Sequence, residues 1–214
     1  MSAISLSSFE RKLKQWIAYP FYRLLNVHLL FPIRQSILTK KLSKYLTENC
    51  LILDLGSSDG ALAYSIQTHL AKQGIQAEFT GCDVHIQPNC KIPVIPYDGE
   101  RLPFATNQFD VVTIVDVLHH AKNPLAVLKE AIRVAKKQVL IKDHYWTNQC
   151  DLLGLRFSDY IGNRPFNIHL PYNYFRESEW LTLLDKLNVK LEHIEKFRYA
   201  LGDPCKHILM NLSV

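Results

Sequence analysis

Residues 51–63, with the sequence LILDLGSSDGALA, constrain the fold more than any other segment of the chain. An apolar run ends near Asp54, and a turn containing Gly56, Ser57 and Gly60 follows before a helical pattern begins. This order predicts a buried strand, a tight turn and a helix whose first backbone amides face the end of the strand. A turn of this kind suits a nucleotide-like ligand, so the segment predicts an α/β protein with a binding site at the turn.

The chain beyond residue 49 alternates between short apolar strands and helical segments. Strands are predicted at residues 50–54, 77–83, 92–96, 109–115 and 138–142, with helices at residues 60–72, 124–135 and 178–187. A closing pair of strands is predicted at residues 190–197 and 207–212. This alternation predicts an α/β, Rossmann-like, doubly wound and mostly parallel seven-stranded sheet with helices on both faces.

The first 48 residues are predicted to form a helical extension that acts as an arm or lid. Apolar residues recur at helical spacing between residues 6 and 17, and a second helix is predicted from Pro32 with Ile33, Ile37 and Leu38 facing inward. The arm carries eight basic and two acidic side chains, so it holds all of the chain's net charge of +5. Residues 49–214 are predicted to be the ligand-binding domain, with residues 145–175 as a functional loop or cover segment.

The cysteines and the hydropathy of the chain indicate the cellular compartment of the protein. The five cysteines are dispersed without a CxxC pair, which argues against a disulfide framework and against a zinc site. The first ten residues lack the pattern of a signal peptide, and the best apolar stretch, residues 17–31, is too short to span a bilayer. We therefore expect a soluble, cytoplasmic protein.

The turn at residue 56 can be interpreted as a dinucleotide-binding motif or as a methyltransferase motif. Ser58 and Ala61 stand where the dinucleotide motif has its second and third glycines, whereas Asp54 lies two residues before Gly56. A carboxylate is unfavourable beside a pyrophosphate but suits the ammonium group of a methionine moiety. At this point the chain resembles the class I S-adenosylmethionine-dependent methyltransferases of the type 11 group.

The resemblance extends over residues 50–143. Asp83 ends the second predicted strand, where the family places an acidic residue on the ribose hydroxyls, and Asp98 stands where the family contacts the adenine. The resemblance implies S-adenosyl-L-methionine as cofactor. It implies the following cofactor-binding residues: Asp54, Gly56, Ser57, Gly60, Asp83, Val84, Asp98, Gly99, Asp116 and Val117.

Candidate bases follow the predicted strands at the edge where open α/β sheets build their sites. His144 and Asp143 follow the fifth strand, and His119 and His120 follow the fourth. An imidazole can accept a proton near neutral pH, and Asp143 can orient it, so we favour His144 as the base. No metal is expected: Asp116, Asp143 and Asn148 could bind magnesium, but the related metal-dependent group has Asn where this chain has His144.

The acceptor is predicted to be a small, partly apolar molecule or a lipid. Aromatic and histidine side chains of the arm and of the cover segment are the predicted acceptor contacts: Tyr19, Tyr22, Trp146, Tyr160, His169 and Tyr172. A nucleic-acid acceptor is not expected, because the excess of basic over acidic residues is confined to the arm and no RNA-binding module is evident. The basic arm predicts peripheral contact with a membrane surface, and the oligomeric state stays open.

Two alternatives outside the methyltransferases stay open at the level of sequence. One is a non-catalytic protein that uses this fold as a binding or scaffold module. The other is a nicotinamide-dependent dehydrogenase, which would use the same strand, turn and helix for a dinucleotide. No affinity for S-adenosylmethionine would exclude the methyltransferase, and NAD binding without S-adenosylmethionine binding would favour the dehydrogenase.

Overall fold

The computed structural model describes residues 31–163, 171–201 and 203–214. Five α-helices are present in this part of the chain: α1 (Phe31–Ser43), α2 (Ala61–Ala71), α3 (Pro124–Val134), α4 (Gln149–Asn163) and α5 (Glu177–Leu184). The strands are β1 (Cys50–Leu55), β2 (Ala77–Asp83), β3 (Val94–Pro96), β4 (Phe109–Val115), β5 (Ala135–Trp146), β6 (Phe175–Arg176), β7 (Lys190–Phe197) and β8 (Lys206–Ser213). A 3₁₀ turn (Leu118–His120) follows β4.

The strands form one sheet in the order β3-β2-β1-β4-β5-β8-β7, and β6 pairs with the end of β5. The strands from β3 to β5 are parallel, and β8 runs antiparallel to both of its neighbours. The strand order reverses between β1 and β4, which is where doubly wound sheets bind their ligands. The predicted seven-stranded, mostly parallel sheet is confirmed, and the two-residue strand β6 is an addition to it.

Both faces of the central strands are buried, as a parallel sheet between two helical layers requires. Successive side chains of β1 enter opposite cores: Ile52 packs with α1 and α2, whereas Leu53 packs with α3 and α5. Pro124 starts α3 at its first turn, and the side chain of Asn123 accepts a hydrogen bond from the amide of Ala126.

The cover segment is more regular than the sequence indicated. Residues 145–175 were predicted to be a loop, but they contain the 15-residue helix α4. Gly154 lies within this helix, and a Cβ atom there would make an ordinary contact of 3.5 Å with the carbonyl oxygen of Pro204. α4 therefore lies against the connection between β7 and β8.

The predicted helix from Pro32 is confirmed as α1, with Leu38 and Leu42 fully buried. Ile33 was predicted to face inward and does not, because 43% of it is exposed. The predicted helix at residues 6–17 lies outside the described residues. Among the described residues, no helix is long and apolar enough to cross a membrane.

We expect the buried face of α3 to contribute far more to stability than the outer face of α4. Leu128 is 0% exposed and Leu153 is 63% exposed. Leu128→Ala should lower the free energy of unfolding by about 2–5 kcal/mol, because it removes core contacts and leaves a cavity. Leu153→Ala is the matched control and should change it by less than about 0.5 kcal/mol. Urea denaturation measures both, and equal effects would contradict the assigned core.

Candidate functional site

The turn after β1 brings backbone close to the sheet edge at two glycines. Gly56 and Gly60 have φ angles of 76° and 72°, a region that side chains with a Cβ atom rarely adopt. A Cβ atom at Gly56 would also collide with the side chain of Val117, and one at Gly60 would collide with Ile92. Both glycines are therefore required by backbone conformation and by space.

Asp83 at the end of β2 holds this turn in place. Its carboxylate accepts hydrogen bonds from the backbone amides of Ser58 at 2.8 Å and His85 at 3.0 Å. Ser58, which stands where the dinucleotide motif has its second glycine, has a φ of 52°, and the bond to Asp83 stabilises that conformation. The structure thus brings the predicted ribose-binding residue into contact with the glycine turn.

The predicted adenine-binding residues lie together on the rim beside β2. Val84 is 62% exposed, and a Cβ atom at Gly99 would lie 3.4 Å from its side chain. Asp98 accepts hydrogen bonds from the backbone amides of Glu100 and Arg101, which lower the pKa of its carboxyl group. Val84 therefore offers an apolar surface next to a backbone that Asp98 fixes.

Asp54 is a buried carboxylate near the end of β1. It accepts a 2.7 Å hydrogen bond from the hydroxyl of Thr113, and it is 6% exposed. Burial raises the pKa of Asp54 to about 6, and the negative charge of Asp83 acts in the same direction, while the hydrogen bond from Thr113 and the charge of Arg34 oppose it. Asp54 is thus a buried acid for which a cationic ligand would be favourable.

Asp116 directly follows β4 and lies between two cations. Arg34 of α1 donates to its Oδ2 at 2.7 Å, and the fully buried Lys142 of β5 donates to its Oδ1 at 2.5 Å. Burial alone would raise the pKa of Asp116, but Lys142, His144 and Arg34 outweigh it and hold that pKa well below its usual range. Burial lowers the pKa of Lys142, with Asp116 opposing the shift. This charge cluster fixes α1 against the ends of β4 and β5.

Asp143 lies inside the longer β5 and collects four hydrogen bonds. Its Oδ2 accepts from the amides of Leu118 and His119 at 3.1 and 3.4 Å, and its Oδ1 binds Nδ1 of His119 at 2.6 Å and the amide of His144 at 2.7 Å. Burial disfavours a charged His119, but the carboxylate of Asp143 outweighs it and raises the pKa of His119. The sequence predicted that Asp143 would orient an imidazole, and the structure gives it His119.

His144 lies close to two carboxylates. Its Nδ1 is 3.4 Å from Oδ1 of Asp143 and 3.5 Å from Oδ1 of Asp116. Burial and the charge of Lys142 lower the pKa of His144 to about 4 against the attraction of Asp116, so the imidazole is neutral near pH 7. His144 pairs with His207 across β5 and β8, and their ring centroids are 4.8 Å apart.

His120 faces α4 rather than Asp143. Its Nε2 lies 3.7 Å from Oδ1 of Asp159, and the hydroxyl of Tyr174 donates to Oδ2 of Asp159 at 2.6 Å. Burial and the neighbouring His119 lower the pKa of His120 to about 4. The four predicted catalytic residues are therefore within one cluster at the carboxyl edge of β4 and β5.

The predicted acceptor residues are only partly within the described chain. Trp146 and Tyr172 pack with a small apolar cluster around Leu155, and the indole of Trp146 donates to the carbonyl oxygen of Tyr174 at 3.0 Å. Tyr160 on α4 is 40% exposed. Tyr19, Tyr22 and His169 lie outside the described residues.

The three oxygen ligands considered for magnesium already have other partners. Asp116 binds Arg34 and Lys142, and both oxygens of Asp143 accept hydrogen bonds. The side chain of Asn148 accepts from the amide of Asp151 at the start of α4. These contacts argue against a hard-cation site made of these three residues.

Sequence reasoning missed Arg34 and Lys142 as parts of the site. Lys142 had a signal, because a lysine within the apolar run VLIK of a central strand must be buried or paired. Arg34 had none, since only the packing of α1 brings it to Asp116, 82 residues away.

Comparison of the sequence with known protein families supports a cofactor site at this sheet edge. Residues 53–141 match the family model described as a methyltransferase domain. No curated protein sequence matches the chain. The segment matched includes the glycine turn, Asp83, Asp98 and Asp116.

Solved structures share the fold at low sequence identity. An S-adenosylmethionine-dependent methyltransferase from Aquifex aeolicus has a TM-score of 0.58 and 17% identity, covering 82% of this chain and 89% of its own. The 1,6-didemethyltoxoflavin-N1-methyltransferase of Burkholderia thailandensis, solved with 1,6-didemethyltoxoflavin and S-adenosylhomocysteine, has a TM-score of 0.63 and 12% identity. It covers 99% of this chain and 92% of its own.

The matched domain and the fold define a class I S-adenosylmethionine-dependent methyltransferase. A methyltransferase domain is therefore present in residues 53–141, the protein is an enzyme, and S-adenosylmethionine is its expected cofactor.

We expect Asp54→Asn to stabilise the protein at neutral pH. The pKa of Asp54 in the folded protein is about 6, above its usual value of 3.8, so folding favours the protonated acid. The free energy of unfolding therefore falls as the pH rises from about 4 through 6. The asparagine avoids that cost, which is at most about 3 kcal/mol at pH 8 and disappears below about pH 4. Urea denaturation from pH 4 to 8 measures it. The exposed control Asp185→Asn should show no such trend, and a pH-independent effect of Asp54→Asn would contradict the assignment.

Proposed function

We propose that this protein transfers the methyl group of S-adenosylmethionine to an oxygen, nitrogen or carbon atom of a small, partly apolar molecule or a lipid. The observation that carries the proposal is the position of His144. Its Nδ1 lies 3.4 Å and 3.5 Å from two carboxylates, at the same strand ends that carry the predicted cofactor residues. A scaffold would gain no stability from so many buried charges, because their desolvation offsets much of their attraction.

The cofactor site is assigned to the turn after β1 and to the ends of β2 and β4. Bound there, the cofactor supplies an electrophilic methyl group on a sulfonium ion. Gly56 and Gly60 allow the positive-φ backbone of this turn, a strand–turn–helix arrangement that suits a nucleotide-like ligand. Asp54 suits the ammonium group, because none of the ion pairs among the described residues includes it.

We assign the acceptor to the side of β5 that faces α4. Trp146, Tyr160 and Tyr172 offer apolar rings with polar tips, and this combination suits an acceptor with both characters. Leu153 and Phe157 on α4 are 63% and 66% exposed, which supports access for an apolar molecule or a lipid surface. Contacts from Tyr19, Tyr22 and His169, and membrane contact through the basic arm, stay predictions.

His144 is the proposed base where the acceptor must lose a proton. The neutral imidazole can accept that proton, and Asp116 and Asp143 would stabilise the imidazolium that forms. Asp143 is a positioning residue, because its bonds fix the turn at His119 and the backbone of His144. Much of the remaining catalysis comes from orientation, since methyl transfer needs an in-line approach of the acceptor.

We expect Asp83→Asn to weaken binding of S-adenosylhomocysteine by at least about tenfold, because the charged acceptor for the ribose hydroxyls is lost. Titration calorimetry measures the affinity, and Glu78→Gln, an exposed position on the same strand, is the control. The loss should be smaller for the analogue that lacks the ribose 2′-hydroxyl. An equal loss for both ligands would indicate that Asp83 only supports the turn at Ser58.

Methyl transfer itself is tested with radiolabelled S-adenosylmethionine and a panel of small phenols, amines, heterocycles and lipids. With an acceptor found in this way, His144→Asn should lower kcat by about 10²-fold and leave the affinity for S-adenosylhomocysteine unchanged. His193→Asn, an exposed histidine on β7, should keep full activity. Cofactor binding without transfer to any acceptor would favour the non-catalytic alternative, and failure to bind S-adenosylmethionine would overturn the proposal.

A further inference from the structure

A second group of ligating side chains lies beside the proposed acceptor site. His119 and His120 belong to the 3₁₀ turn after β4, and Asp159 lies on α4. One ligating atom of each residue lies within 4.8 Å of those of the other two. We call these three residues the His-His-Asp group.

The distances within this group approach those of a metal site. Nε2 of His120 lies 3.7 Å from Oδ1 of Asp159, and the ring centroids of His119 and His120 are 4.0 Å apart with the planes at 47°. Ligands of a tetrahedral zinc ion bound at 2.0–2.1 Å lie about 3.4 Å from one another. The separation of His120 and Asp159 is therefore within about 0.3 Å of the spacing of zinc ligands.

The residues around the group supply the support that metal ligands require. Asp143 binds Nδ1 of His119 at 2.6 Å, which leaves Nε2 of that ring as the nitrogen for a metal. The hydroxyl of Tyr174 donates to Oδ2 of Asp159 at 2.6 Å, and the ring of Tyr174 stacks on His119 at 5.2 Å. Both a histidine and the carboxylate are thus oriented by a neighbouring side chain.

A second possible set, His119 with Asp143 and His144, is less suitable. Both oxygens of Asp143 already accept hydrogen bonds, from two backbone amides on one side and from His119 and the amide of His144 on the other. Binding a metal through Asp143 would break these bonds. Asp143 therefore suits the role of orienting a ligand rather than being one.

We propose that His119, His120 and Asp159 bind one divalent transition metal ion, with zinc as the ion that their donor atoms fit. Two imidazoles and one carboxylate are the donors of catalytic zinc sites, whereas magnesium prefers oxygen donors. Three protein ligands leave a fourth position open. An oxygen or nitrogen atom of the acceptor would take this position, and this part of the proposal rests on the proposed function. The binding of the metal itself does not depend on the proposed function.

The experiment uses the full chain after removal of metals with a chelator. Titration with Zn²⁺ should show one binding site. Bound Co²⁺ should give the visible absorption bands of a tetrahedral ion. The absence of a thiolate charge-transfer band would show that none of the five free cysteines binds the ion. Asp159→Asn and His120→Gln should each lower the affinity by more than about 100-fold. Tyr174→Phe should lower it by about tenfold, the effect typical of a supporting residue.

His193→Asn is the control and should bind Zn²⁺ as the wild type does. Affinity for S-adenosylhomocysteine, measured on every variant, reports correct folding and tests the cofactor site separately. Unchanged Zn²⁺ affinity in both Asp159→Asn and His120→Gln, or a wild type that binds no Zn²⁺ while it binds S-adenosylhomocysteine, would overturn the metal site and leave the proposed function intact.

Discussion

The site depends on the unequal lengths of two neighbouring strands. β4 ends at Val115, opposite Lys142, but β5 continues to Trp146 because β8 supplies partners along its other edge. Beyond Lys142 the inner edge of β5 must find other hydrogen-bond partners, since unpaired backbone groups away from water are costly. The amide of Asp116 binds the carbonyl of Lys142, and β6 pairs with Tyr145 and Trp146. The overhanging part of β5 therefore holds its functional side chains over the end of β4.

Asp143 uses this overhang to organise the turn that follows β4. Its carboxylate binds the amides of Leu118 and His119 as well as the imidazole of His119, so one buried acid fixes both the backbone and a side chain. Opposing groups balance its negative charge in a region where an unpaired charge would be very unfavourable. Such a fixed cluster is pre-organised, which is the property that lets polar groups act on a substrate without first rearranging.

The sequence predicted the sheet well because its signals are local. Strand β4 was predicted with its observed bounds, and Gly56 and Gly60 were recognised from spacing alone. The helix α4 was missed because residues 145–175 contain Gly, Pro and many aromatic residues, a composition that also occurs in loops. Arg34 was missed because only the packing of α1 brings it to Asp116. The sequence is therefore a poor guide where long-range packing decides the role of a residue. The histidines are an example, because their roles depend on which imidazole the carboxylate of Asp143 contacts.

Two carboxylates at the sheet edge were both predicted to bind the cofactor, and their electrostatic states differ. Asp116 is held between Arg34 and Lys142, so its charge is already compensated and an additional cation gains little there. Asp54 has a hydroxyl partner and a pKa raised to about 6 by burial, so a cation nearby would stabilise its ionised form. The preference of this edge for a cationic ligand therefore arises mainly at Asp54. The charge of Asp116 instead ties α1 to the sheet through Arg34.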